Sequence, residues 1–326
     1  MKTKIFAFAK IAVTALLFLY IFHDIDFQRF GATIKNARLD ILILGFLVIW
    51  VGHYICIYRW RMLMRPLMPV LSMARLFGIY CIGLFFNLTL PTLVGGDVVK
   101  MYYAGRPSRS YAQSFAATFL DRDAGMLAMM IIACGAIIFH PVLVPGIPVT
   151  LIIWSAFGAF VAGNIAIFAP YFHLRLINLL HRLRMSRLAA KVDMISSAFQ
   201  VMGKHPMLLL KSLLISLVNQ FLVIAVSWIM AIGLRLHVSP VWFLVFIPVI
   251  TLISMIPISL NGMGLREYAF MSLFGAIGLN TESCIALGLL SSIVIILSSL
   301  PGGIVYIFLR NRNDFQQLAA IETEFP

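Results

Sequence analysis

Apolar residues run along this chain in blocks rather than in alternation. The blocks Lys4 to Phe22, Asp40 to Tyr58, Ser110 to Phe139, Gly146 to Pro170, Met207 to Gly233 and Ser283 to Leu309 are nearly uninterrupted. At roughly 1.5 Å of rise per residue, helices of this length cross a hydrocarbon core of about 30 Å. No period of two runs through them, which excludes a transmembrane barrel. The pattern predicts an all-α integral membrane protein with about six full transmembrane helices.

Two further stretches, Arg75 to Gly105 and Pro240 to Gly278, are apolar but broken midway by proline and glycine. Each is too short for two comfortable spans, so each is predicted to be a re-entrant helical hairpin, giving eight helices by hydropathy. The composition agrees: 62% of the 326 residues are hydrophobic, 11% are charged and the mean hydropathy is +0.99. Such a chain is not a soluble domain.

The net charge of +13 then reads as topology. No soluble basic module is present, so nucleic acid is not an expected partner. If both hairpins leave on the face they entered, most of the 25 basic residues lie on one side. Arg59, Arg61, Arg65, Arg75, Lys100, Arg106 and Arg109 join Lys2 and Lys4, the run from Arg175 to Lys211, Arg310 and Arg312 on the cytoplasmic face. That places both termini in the cytoplasm, in a multi-pass inner (plasma) membrane protein. The first segment has no small-residue cleavage site after it and is expected to remain as an anchor.

This threading makes residues 1–310 one transmembrane domain of two inverted halves, roughly 1–140 and 146–310. A trace survives in sequence, where Pro91 to Tyr102 aligns without gaps on Pro257 to Tyr268, sharing proline, the second glycine, a basic residue and tyrosine. Segment 171–206 carries Leu174, Ile177, Leu180, Leu183 and Leu188 among arginines. It reads either as an amphipathic helix on an anionic membrane surface or as an ordinary positive-inside loop. Residues 311–326 are expected to form a flexible cytoplasmic tail.

Charges inside lipid are costly, so the few present are informative. They are Asp97, Lys100, Asp121, Arg122, Asp123, Arg266 and Glu267. At the hairpin tips Pro91 and Pro257 end the entering half-helices, and Gly95-Gly96 and Asn261-Gly262-Met263-Gly264 allow a tight turn. The N–H groups starting the second returning helix suit a phosphate or carboxylate. At the first tip Asp97 is placed to cap those groups itself, which favours an amine or cation. The candidate substrate-binding set is Arg266, Lys100, Arg122, Asn261, Gly262, Gly264, Gly95, Gly96 and Tyr268, with Asp97, Asp121 and Glu267 setting the charge. A purely structural reading stands beside it, in which Arg266 pairs with Asp121 or Glu267, and Arg122 with Asp97.

Other chemistry finds little support. Asp121 and Asp123 point about 200° apart on a helix and do not share a metal ion. Cys56, Cys81, Cys134 and Cys284 sit in apolar runs as packing groups. Gly158, Gly163, Gly302 and Gly303 read as close helix packing. His53 and His140 read as interfacial or paired polar groups. No phosphate-binding loop or Ser/His/Asp set occurs, so neither a cofactor nor ATP hydrolysis is expected, and an enzyme is disfavoured.

Three motifs, Pro91 to Asp97 with Gly95-Gly96-Asp97, Asp121-Arg122 with Gly125, and Pro257 to Glu267, resemble the membrane domain of lysylphosphatidylglycerol synthetases, also called the flippase-like family. In two-domain members this part is thought to translocate aminoacylated phosphatidylglycerol made by a following cytosolic domain. The sequence runs to Pro326, so lysyl transfer is not implied. The resemblance implies a translocase for a phosphate-bearing envelope lipid, a phospholipid or a polyprenyl phosphate. The alternatives are a non-transporting subunit beside an envelope-lipid biosynthetic enzyme, and a membrane-embedded transferase.

Overall fold

A computed structural model of the chain describes residues 2–23, 25–90, 95–139, 148–168, 175, 185–256 and 258–309. These form twelve α-helices and two short 3-10 turns, with no strand among the described residues. The helices are α1 (Lys2–His23), α2 (Phe27–Lys35), α3 (Leu39–Met64), α4 (Met73–Thr89), α5 (Gly95–Gly105), α6 (Tyr111–Phe139), α7 (Val149–Phe168), α8 (Ser186–Gly203), α9 (Pro206–Gly233), α10 (Pro240–Ser254), α11 (Leu265–Gly275) and α12 (Thr281–Leu309).

The architecture is that of an all-α, multi-pass membrane protein. Helices α3, α6, α9 and α12, of 26 to 29 residues, are long and apolar enough to cross a bilayer. Helices α1 and α7 are apolar over shorter described stretches, Ala12–His23 and Val149–Ile165. On α3 the exposed residues Ile43, Leu44, Leu47, Val51, Tyr54 and Tyr58 recur at helical spacing along one side. Apolar side chains on the outside as well as the inside are what a hydrocarbon solvent selects.

Two differences from the sequence reading concern helix ends. The polar segment after α1 folds into α2, whose N-terminus is capped by the Asp26 carboxylate accepting from the Gln28 and Arg29 N–H groups. Helix α3 continues past Tyr58 to Met64, so Arg59 lies inside it at 3% exposure rather than in a solvated connection. A buried carboxylate, Asp121, compensates that arginine.

The broken apolar stretches fold as pairs of adjacent helices, α4 against α5 and α10 against α11. Helices α5 and α11 have eleven residues each, about 16 Å, half a hydrocarbon core. Pro91 and Pro257 lie outside the described residues, as do His140, residues 311–326 and most of the expected amphipathic run before Ser186. The described part of α8 turns Ala198, Phe199 and Met202 onto Leu63, Ala116 and Leu120 of α3 and α6.

Buried apolar side chains form two main cores. One joins α3, α4 and α5 around Trp60, Leu76, Ile82 and Tyr102. The other joins α6, α9, α10, α11 and α12 around Phe243, Phe246, Phe270 and Phe274. Helix α12 ties them together: an added Cβ at Gly302 would collide with the Cys81 carbonyl of α4, so Pro301-Gly302-Gly303 lets two backbones touch. Gly158 and Gly163 have nothing within 4 Å of an added Cβ and are not packing glycines within the described structure.

Candidate functional site

Between the two cores lies a cavity of about 350 Å³. Its walls come from α4, α6, α9, α10, α11 and α12, and its polar groups are Asn87, Arg122, Thr251, Asn261, Arg266 and the serines 227, 254, 291 and 299. Both charged residues in that lining are arginines. Serines 291 and 299 lie eight residues apart on α12, a spacing that keeps both on one face. That serine stripe, with Asn87 isolated in an apolar helix, is a signal the sequence carried and pattern reading passed over.

The second hairpin delivers Arg266. Asn261, Gly262 and Gly264 take left-handed conformations, with φ of 49°, 74° and 82°. A side chain at Gly262 would also come within 2.7 Å of the Ser254 carbonyl oxygen, so this turn requires glycine there. Two of the turn's N–H groups, those of Met263 and Gly264, are taken up inside the protein. Met263 N–H donates to Leu260 O at 2.9 Å, and Gly264 N–H donates to Glu267 Oε2 at 2.6 Å. Glu267 therefore caps its own helix. Its other oxygen accepts from Ser292 Oγ at 2.5 Å, and that hydroxyl accepts from Arg266 Nη1 at 3.0 Å. Arg266 Nη2 reaches Asn261 O at 3.5 Å. The guanidinium thus stands at the cavity wall with a hydroxyl and a carbonyl as its hydrogen-bond partners.

The first hairpin is sealed. Asn87 Oδ1, not Asp97, accepts the Gly96 N–H, at 2.9 Å. Asp97 instead pairs with Lys100 at 2.7 Å and with Arg122 of α6. Lys100 is buried, its ammonium 5.2 Å from the Tyr80 ring centroid and 5.6 Å from that of Trp60. A cation so enclosed by a carboxylate and two aromatic faces does not line the cavity.

The segment Asp121-Arg122-Asp123 sends its three side chains to different helices. Asp121 Oδ1 accepts from Arg59 Nε at 2.7 Å, and Arg59 Nη1 donates to Ser216 Oγ of α9 at 2.5 Å. Asp123 accepts from Asn164 Nδ2 of α7 at 3.0 Å. Gly125 O accepts from Gln220 Nε2 of α9 at 2.9 Å. Arg59 and Ser216 are the partners of Asp121 that sequence reasoning missed. No group of three or more metal-ligating side chains occurs among the described residues.

Of the expected site residues, the structure brings Arg122, Asn261 and Arg266 to one cavity wall. Gly262 and Gly264 shape the turn behind it, and Glu267 braces that turn. Gly95, Gly96, Asp97 and Lys100 belong to the sealed hairpin. Asp121 faces α3, and Tyr268 turns outward, its ring 6.2 Å from that of Tyr20 on α1. His53 lies beside Trp50 and Tyr80, with Nδ1 3.5 Å from the Tyr80 hydroxyl.

A family profile described as the lysylphosphatidylglycerol synthase TM region matches residues 7–304. No curated protein and no solved structure gives a match.

Proposed function

The chain belongs to the lysylphosphatidylglycerol synthase TM region family, and on that premise we propose that it is a lipid translocase for a phosphate-bearing lipid of the cell envelope. The family relates it to lipid handling in a membrane; the transport activity and the head group are our reading. The observation that carries this reading is Arg266, a guanidinium at the wall of the polar cavity, hydrogen-bonded to Ser292 and to Asn261 O. Arg266 reaches the Glu267 carboxylate only through Ser292, so a phosphate arriving there gains charge-assisted, bidentate hydrogen bonds.

In this reading the head group enters the cavity while its chains stay in lipid. Arg266 takes the phosphate, Arg122 becomes its second donor by loosening from Asp97, and Asn87 with the serines of α10 and α12 serves the remaining oxygens. The two hairpins would be re-entrant elements of inverted halves in an inner membrane, with both termini cytoplasmic. The chain would act as a carrier rather than an enzyme, without hydrolysing ATP itself, and a lipid gradient or a biosynthetic partner would set the direction.

Proteoliposomes holding fluorescent phosphatidylglycerol, a zwitterionic phospholipid and a lysyl ester of phosphatidylglycerol test this. Transport of a phosphate lipid by wild type and its loss in folded Arg266→Ala is the expected outcome. Undiminished transport by Arg266→Ala overturns the assignment. Silence toward every lipid by folded wild type favours a non-transporting subunit that co-purifies with an envelope-lipid enzyme.

A further inference from the structure

A second cavity, of about 270 Å³, opens between α5 and α6. Val98 and Met101 form one wall, Phe115 and Phe119 the other, and the Asp97–Arg122 pair closes the end. Arg122 lines both this groove and the polar cavity. The two spaces thus share Arg122 as a common wall residue, one nearly apolar and the other studded with hydroxyls and amides.

We propose that the α5–α6 groove seats one hydrocarbon chain of the same lipid whose phosphate enters the polar cavity, taking the lipid's identity from the translocase reading. The size fits a chain segment, falling just below the roughly 300–1,000 Å³ of pockets that enclose whole small ligands. The lining fits too, because the Phe115 and Phe119 rings, 6.1 Å apart and stacked, give a smooth wall against which a flexible chain lies without leaving a void. Moving a chain from bilayer to groove yields no hydrophobic gain, since lipid tails are as apolar as the wall. The groove therefore contributes orientation, and occupancy is selected at its end, where Arg122 faces the phosphate. The lipid enters sideways, chain in the groove and head past Arg122, rather than from the aqueous face.

The test uses the full chain in vesicles containing traces of phosphatidylglycerol with a diazirine near the end of one chain, or diacylglycerol with the same chain and no phosphate. After illumination, labelled peptides are mapped by mass spectrometry. The expected result is labelling of Val98 to Met101 and Phe115 to Phe119 several-fold above the lipid-facing stripe of α3. Phosphatidylglycerol should exceed diacylglycerol about tenfold, the worth of one charge-assisted hydrogen bond. Val98→Trp, which fills the groove and replaces no charged residue, should remove the labelling. Labelling spread evenly over α3, α5 and α6, or equal labelling by both probes, overturns the proposal even if Val98→Trp fails to fold. Scrambling of the same probe separates the two ideas. A labelled groove without scrambling keeps the groove and removes the translocase, whereas scrambling with no groove label does the reverse.

Discussion

The two hairpins share a sequence pattern and differ in what they do with their charge. Aligned from Pro91 and from Pro257, Lys100 falls on Arg266, yet Lys100 is the sixth residue of α5 and Arg266 the second of α11. The left-handed turn through Asn261, Gly262 and Gly264 delays the start of α11. Arg266 consequently sits four residues, about 6 Å, nearer the first described residue of its helix than Lys100 does. The acids diverge as well. Asp97 holds two cations, while Glu267 spends its oxygens on an N–H and a hydroxyl. One hairpin is neutralised for stability, and the other keeps a cation toward the cavity, so a shared motif does not guarantee a shared role.

The largest break in this comparison is expected from Asp97→Asn. It takes from Lys100 and Arg122 the carboxylate they share, and removing one partner from a buried pair costs roughly 3–5 kcal/mol. Thermal unfolding of purified protein in detergent should show it as a large drop in midpoint. An unchanged midpoint would mean that the first hairpin is not held by charge.

A smaller effect is expected at the tips. In Gly96→Ala the new methyl meets the Gly83 carbonyl and the Asn87 side chain, so α4 and α5 must part, at roughly 1–3 kcal/mol. In Gly262→Ala the methyl needs both the left-handed conformation, which costs about 1–2 kcal/mol, and room beside Ser254. The same unfolding assay ranks the pair, and a larger loss at Gly96 would make the α4–α5 contact the tighter of the two.

The helical membrane class and the two hairpins were legible because apolar block length and mid-block Pro-Gly breaks are local properties. Arg59 was not, because its burial depends on Asp121, 62 residues away, and on Ser216, 157 residues away. Its position beside Arg61 and Arg65 gave it the look of a surface cation. The site was half legible. Arg122, Asn261 and Arg266 stood out as polar groups in apolar runs, whereas Lys100 looked equivalent to Arg266 because alignment carries no helix register. At the second tip the Gly264 N–H is not open, because a glutamate three residues into a helix reaches back to cap it, and Glu267 does so.

The smallest expected change in stability sharpens the comparison most. Arg266→Gln removes a cation whose hydrogen bonds run to a hydroxyl and a carbonyl. The partners it leaves keep their other bonds: Ser292 still donates to Glu267, and Glu267 still caps Gly264. Desolvation of a guanidinium is relieved as two hydrogen bonds weaken, and polar contacts between membrane helices are worth only about 0.6 kcal/mol on average. The midpoint should therefore move by less than about 1 kcal/mol equivalent, while phosphate-lipid transport is lost. If Arg266→Gln instead unfolds as readily as Asp97→Asn, the second cation is a brace like the first. The functional distinction between the hairpins would then fail at the residue on which it rests.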